Sequence, residues 1–265
     1  MRTLYILIAF MLLATMSLWA GRFNKIKKLP AVIIACLCMS IAGIFLACSV
    51  LPGNFAYKET VTNLGNKQLS GKAIPAKAIA LTFDDGPYEP YTSNLLVKLQ
   101  EKNVKATFFI IAEQAEKHPD TVRKIAAAGH TIALHQYRHV DSLKLSKKEL
   151  KESLLKGKAT LEKLSGKEVK LWRPCHGFRD GAVLDIAREI GLTVVNWDNI
   201  PRDWTLISAE EITRRVVKDA SPGSIVLLHD GDSPKYKDPR TETINAVPKI
   251  IDELRSQGYT FVAIE

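Results

Sequence analysis

Beyond residue 53 the chain is almost without cysteine: Cys175 stands alone there, because Cys36, Cys38 and Cys48 all fall earlier. A disulfide inside residues 54–265 is therefore excluded, and that part must be held by an apolar core. Acidic residues are absent from the opposite end. Residues 1–53 carry Arg2, Arg22, Lys25, Lys27 and Lys28 with no aspartate or glutamate, so over half of the formal net charge of +9 belongs to this segment. Charges in the remainder nearly balance, and no basic stripe with interleaved aromatics occurs, which argues against nucleic acid as a partner. No repeat of fixed period is present, which excludes a solenoid.

The acid-free segment holds two uncharged runs, residues 3–20 and 31–50, the second reading AVIIACLCMSIAGIFLACSV. At helical rise each covers roughly the ~30 Å hydrocarbon thickness of a bilayer. The stretch between them, GRFNKIKKLP, carries four of the five positive charges. Positive loops stay cytoplasmic, so two spans would form a hairpin with both ends outside. A cleaved signal peptide and lipid attachment at Cys48 are the other readings, and all three export the remainder of the chain. The expectation adopted is a membrane anchor over 1–53, a polar linker over 54–77 and a catalytic domain over 78–265.

From Ala78 onward, short apolar runs alternate with amphipathic stretches. Strands are expected at 78–83, 106–111, 131–134, 169–172, 193–196, 224–228 and 260–264, and helices at 92–102, 120–128, 146–164, 180–190, 208–219 and 241–257. Ser146 with Glu149 and Ser208 with Glu211 have capping-box spacing. Strand–helix alternation at this spacing implies parallel strands joined by helices. The expected fold is α/β, an irregular (β/α)7-type barrel preceded by one or two transmembrane helices, with an open doubly wound sheet as the alternative.

In such barrels chemistry gathers at the C-terminal ends of the strands. There the sequence places Asp84 and Asp85, then His135 and His139 in HQYRH, Arg173 in WRPCHG, Asp203 in PRDW and His229 in LLHD. Each fragment has a plain structural reading. Asp-Gly-Pro is ordinary turn chemistry; a His pair at i, i+4 can chelate a divalent cation with both rings on one helix face, but on a surface helix or turn it is usually just solvated. Chemical groups shared by one end of the sheet are harder to explain as accident.

The block TFDDGP at 82–87 resembles the first motif of the polysaccharide deacetylases, the family with the NodB homology domain (carbohydrate esterase family 4). VKATFFI at 104–110 and AAGHTIALH at 127–135 resemble its flanking blocks, and the likeness runs from about Ala78 to the C-terminus. This resemblance implies a hydrolase that removes acetyl groups from a polysaccharide. It implies one divalent ion, zinc or alternatively cobalt, on Asp85, His135 and His139. Asp84 would be the general base acting on water, with Arg173 holding its charge. His229 would be the general acid for the leaving amine, with Asp203 beside it. Pro174, His176, Trp204 and Leu227 would shape the pocket.

The chain departs from the family pattern at Leu134, Gln136, Cys175-His176 and Ile200. His118 and His130 are expected to be structural. Peptidoglycan N-acetylglucosamine is the expected substrate, since an anchored enzyme facing outward meets the cell wall first. An O-acetyl esterase and a non-catalytic glycan-binding module are the alternatives.

Overall fold

The structure is a computed structural model that describes residues 11–16, 19, 28–50, 59–65, 74–232 and 238–265. Most of the apolar run 3–20 lies outside them. The second run falls in helix α1 (Lys28–Val50), whose side chains are described only over 33–44 and at Ser49. Among the described residues no helix is long and apolar enough to cross a membrane.

The domain alternates β1 (Ala78–Asp84), α2 (Tyr91–Glu101), β2 (Thr107–Ile111), α3 (Ala112–Lys117), α4 (Pro119–Ala127), β3 (Thr131–Gln136) and α5 (Lys147–Ser165). It continues with β4 (Leu171–Trp172), α6 (Gly181–Glu189), β5 (Thr193–Val194), α7 (Ala209–Lys218), β6 (Ile225–His229), α8 (Thr241–Ser256) and β7 (Thr260–Phe261). Every strand pairing is parallel, in the order β5-β4-β3-β2-β1-β6, with β7 on β1. The expected strands and helices recur within a few residues, whereas α3 was not anticipated. Ser146 forms a complete capping box with Glu149, but at Ser208 only the half from the Glu211 N–H is present. The carboxylate of Glu211 is engaged by Arg214 and Arg215 instead.

The sheet is curled into an incomplete barrel, and its seam involves residues expected as linker. Val61 bridges Val195, Asn63 bridges Ser224, and Asn199 bridges Val226, so residues 59–65 lie between the β5 and β6 sides. Val61 and Leu64 are buried there.

Strand parity decides what faces where, because successive side chains point to opposite faces. Ile79, Leu81 and Phe83 of β1 pack under the helices with Phe108, Ile110, Leu134 and Leu228. Ala78 and Ala80 face the concave side with Phe109, Ala133, Leu171, Ile225 and Leu227. Continuing that parity puts His135, Arg173 and His229 on the concave face one step further along their strands, and Asp84 two steps beyond Ala80, past Thr82.

Two glycines set the rim. A Cβ on Gly231 would stand 2.1 Å from the Asp85 carbonyl carbon, and one on Gly86 would stand 2.3 Å from the Asp230 carboxylate. The loops after β1 and β6 are thus in backbone contact. Replacing Gly231 by alanine should cost about 1–3 kcal/mol in chemical denaturation. Gly181 opens α6, and a Cβ there would meet no heavy atom within 4 Å. Its replacement by alanine should instead raise stability by about 0.5–1 kcal/mol.

Candidate active site

Arg173 is fully buried across the concave face. Its Nε donates to the Val195 carbonyl (3.1 Å), its Nη2 to the Asn196 carbonyl (2.9 Å), and its Nη1 to Thr82 Oγ1 (2.9 Å) and Asp84 Oδ1 (2.6 Å). The guanidinium lies 3.9 Å above the Phe109 ring. Burial lowers the Arg173 pKa, opposed by Asp84; a guanidinium stays charged in proteins all the same. Asp84 is thereby fixed with its second oxygen 3.9 Å from His135 Nε2.

Asp85 follows in the left-handed region at φ 73°. Its Oδ1 lies 3.3 Å from His135 Nε2 and 3.5 Å from His139 Nε2, is buried, and has no hydrogen-bond partner. His135 Nδ1 is 2.8 Å from the Arg173 carbonyl, so Nδ1 carries the proton and Nε2 presents its lone pair to the cleft. His135 and His139 do not share a helix face. His135 lies near the end of β3 and His139 in the following bend. Gln136 ties that bend down: its Nε2 donates to the Val140 carbonyl (3.0 Å), and Ser142 Oγ donates to its Oε1 (3.1 Å).

The electrostatics follow from burial and these contacts. Burial would raise the Asp85 pKa, but the imidazoles of His135 and His139 outweigh it and lower it. Burial depresses His139 to about 4, while for His135 it is overcome by Asp84 and Asp85, which raise it. The donor set fits a small divalent ion. Ligands about 2.0–2.1 Å from a tetrahedral centre are roughly 3.3–3.4 Å apart, close to the observed spacing of the orphaned oxygen from both nitrogens. One ligand atom each from His135, His139 and Cys175 also fall within 4.8 Å of one another. The Cys175 thiol, however, donates to the His135 carbonyl (3.4 Å), and burial pushes its pKa well up. Asp85 completes the set more readily than this protonated thiol.

Across the cleft, Asp203 accepts from the His229 backbone N–H (2.9 Å) and faces His229 Nδ1 at 2.9 Å, with Thr243 Oγ1 donating to its Oδ2 at 2.9 Å. Burial would lower the His229 pKa; Asp203, and then Asp85 and Asp84, override it and raise it to about 9. The ring is therefore an imidazolium at neutral pH, with Nε2–H free toward the cleft. Trp204 stands edge-on to it, 5.3 Å between centroids.

Asp84, Asp85, His135, His139 and His229 line one cavity of about 560 Å³, together with His176, Trp204 and Leu227. Arg173 and Asp203 stand directly behind that lining, on Asp84 and His229. Of the four expected pocket residues, Pro174 is buried and is not among the lining side chains. Sequence reasoning missed Trp197, Asp232, Asp238 and Arg240 in the wall, and Asp230 behind it. Ile200, noted only as a departure, is also in the wall. Asp230 follows the His229 landmark directly, so its position was readable though its role was not. Its pKa is pushed up to about 7 by burial, with Asp85 adding to the rise. His130 accepts from the Ala106 N–H at Nδ1 (3.1 Å), away from this cleft, as a structural histidine.

Residues 71–195 match the family model described as polysaccharide deacetylase. The chain is 40% identical over 190 residues to a peptidoglycan-N-acetylglucosamine deacetylase of Bacillus cereus, covering 71% of this chain and 86% of that protein. Coverage falls to 66% of a second B. cereus protein and 39% of a Listeria monocytogenes protein of the same activity. Among solved structures, a peptidoglycan N-acetylglucosamine deacetylase in complex with 4-naphthalen-1-yl-N-oxidanyl-benzamide superposes with TM-score 0.69 and 34% identity, covering 77% of this chain and 89% of that one. A family 4 acetyl xylan esterase from Clostridium thermocellum in complex with a cobalt ion gives TM-score 0.64 and 30% identity, covering 71% and 88%.

Replacing Asp203 by asparagine removes the charge that holds the His229 proton. The alkaline limb of the pH–rate profile, set by loss of that proton near 9, should then move down toward the ordinary imidazole value of 6.5. Initial rates across pH in matched buffers measure the shift, and an unmoved limb would separate the limb from His229.

Proposed function

The chain belongs to the polysaccharide deacetylase family and is a polysaccharide N-deacetylase, and from that premise we propose that it hydrolyses the acetamido group of N-acetylglucosamine in peptidoglycan. The observation that carries this reading is the pair of opposed proton-handling groups, Asp84 and imidazolium His229, on either side of the Asp85–His135–His139 donor set in one cleft. The 40%-identical peptidoglycan-N-acetylglucosamine deacetylase supports the substrate.

In the proposed mechanism Asp85, His135 and His139 would hold a divalent cation, zinc or cobalt. When bound, such an ion acidifies water and polarises a carbonyl oxygen. Asp84, anchored through Oδ1 to Arg173, accepts the proton of the attacking water on Oδ2. The backbone N–H of His176, a residue held at φ 60° on the cleft rim, is offered to the developing oxyanion. As the C–N bond breaks, His229 Nε2 delivers its proton to the nitrogen, because an amine leaves poorly without it. Asp203 keeps the imidazole oriented throughout. Trp204, Leu227 and Ile200 give the acetyl methyl an apolar surface.

An acid of pKa about 9 suits an amine better than an alcohol, which leaves without full protonation; this favours N-deacetylation over ester cleavage. We also place the catalytic domain outside the cytoplasmic membrane, supported by the two uncharged runs and the basic stretch between them.

The purified protein should release acetate from N-acetylglucosamine oligomers and from peptidoglycan. Chelation should abolish release, and zinc or cobalt should restore it. Asp84→Asn should lower kcat by about 10²–10⁴-fold, and His229→Ala should harm amide substrates more than acetate esters. Undiminished turnover by Asp84→Asn would end the base assignment. External protease on intact cells should cleave the domain if its placement is right; complete protection after a lysis control would refute it.

A further inference from the structure

Most buried charges around the cleft have a partner of opposite sign. Asp84 meets Arg173 at 2.6 Å, Asp203 meets His229 at 2.9 Å, and Asp232 meets Arg240 at 2.8 Å. Two carboxylate oxygens in this region are left without any hydrogen bond, Asp85 Oδ1 and Asp230 Oδ1. The first belongs to the donor set already described. The second has no place in the mechanism.

Asp230 is 1% exposed, and no ion pair reaches it among the described residues. Its Oδ2 accepts from Thr92 Oγ1 at 2.7 Å. Its backbone N–H donates to the Asp84 carbonyl at 3.3 Å, and its carboxyl group is pressed against Gly86, where even a Cβ would lie within 2.3–2.7 Å of three of its atoms. A carboxylate behind the Asp84–Gly86 turn, out of water and without a cation, is a costly arrangement. An asparagine would make the same bond to Thr92 without the charge. Where both carboxylates are ionised, their two negative charges equal one divalent ion, and among the described residues neither Asp85 Oδ1 nor Asp230 Oδ1 has a hydrogen-bond partner to offset them.

We propose that Asp230 is a positioning residue for the cation: it does not ligate, but its charge behind Gly86 brings the buried cluster to the balance that a dication satisfies. This rests on the metal reading above. Field strength in a buried site is large enough for a charge one layer back to matter. The same charge repels Asp84 and Asp85 when no cation is present, so the arrangement exchanges stability of the empty protein for affinity.

The test uses the full chain, stripped by chelation and titrated with zinc or cobalt alone against a chromophoric chelator at pH 8. Asp230→Asn should weaken cation affinity by about tenfold or more, while the melting temperature of its stripped form equals or exceeds that of the wild type. Thr92→Val removes the hydrogen bond but keeps the charge, and should change affinity by no more than about threefold. Unchanged affinity in Asp230→Asn overturns the proposal, as does an equal loss in Thr92→Val. A lower melting temperature for stripped Asp230→Asn would mark Asp230 as a packing residue and overturn it too. A wild-type protein that binds neither ion would bring down this inference and the metal reading together, whereas the other failures leave that reading standing.

Discussion

The contact on which the rest depends is the buried guanidinium of Arg173. One side chain joins the end of β4 to Thr82 and Asp84 of β1 and to the carbonyls of Val195 and Asn196 after β5. Strands far apart in the sheet order are thereby tied across the concave face. A buried arginine without acceptors would be prohibitive to fold around; here its donors meet carbonyl, hydroxyl and carboxylate oxygens. Its backbone carbonyl also accepts a hydrogen bond from His135 Nδ1–H, so the residue that anchors the base also fixes which nitrogen of His135 faces the cleft.

Much of this was legible in the chain. The parity of Ala78, Ala80 and Asp84, or of Ala133 and His135, is visible as a period of two, and it puts the chemical groups on one face before any coordinates are known. Asp84, Asp85, His135, His139 and His229 arrive at one cavity, with Arg173 and Asp203 holding two of them from behind, as their positions after successive strands implied. What was not legible depends on contacts between segments with no local pattern. The helix Ala112–Lys117 begins directly at the end of β2 without a capping side chain, so no sequence landmark separates the two. The pairing of Val61 and Asn63 with the barrel edge comes from a polar stretch with too few residues to show a period. Arg240 and Asp232 form a wall ion pair only because the chain returns across the rim after β6.

The two histidines on opposite sides of the cleft show how like residues are given unlike chemistry. His139 is depressed to about 4 by burial, which favours the neutral ring that a cation needs. His229 is raised to about 9 by Asp203, which favours the charged ring that an acid needs. The largest upward influence on His229 is one carboxylate held by the Thr243 hydroxyl, so the first turn of the last long helix reaches the proton-donating group through two hydrogen bonds.

The match to the family model begins at residue 71, yet the chain is already paired with the barrel ten residues earlier. Val61 exchanges bonds with Val194 and Asn196, and Leu64 donates to Gly223. A version of the protein started where the likeness starts would leave the Val194–Asn196 backbone unzipped on one flank, with apolar surface bare along the slit. The piece ahead of the family-model match thus acts as a clasp on the sheet's open side.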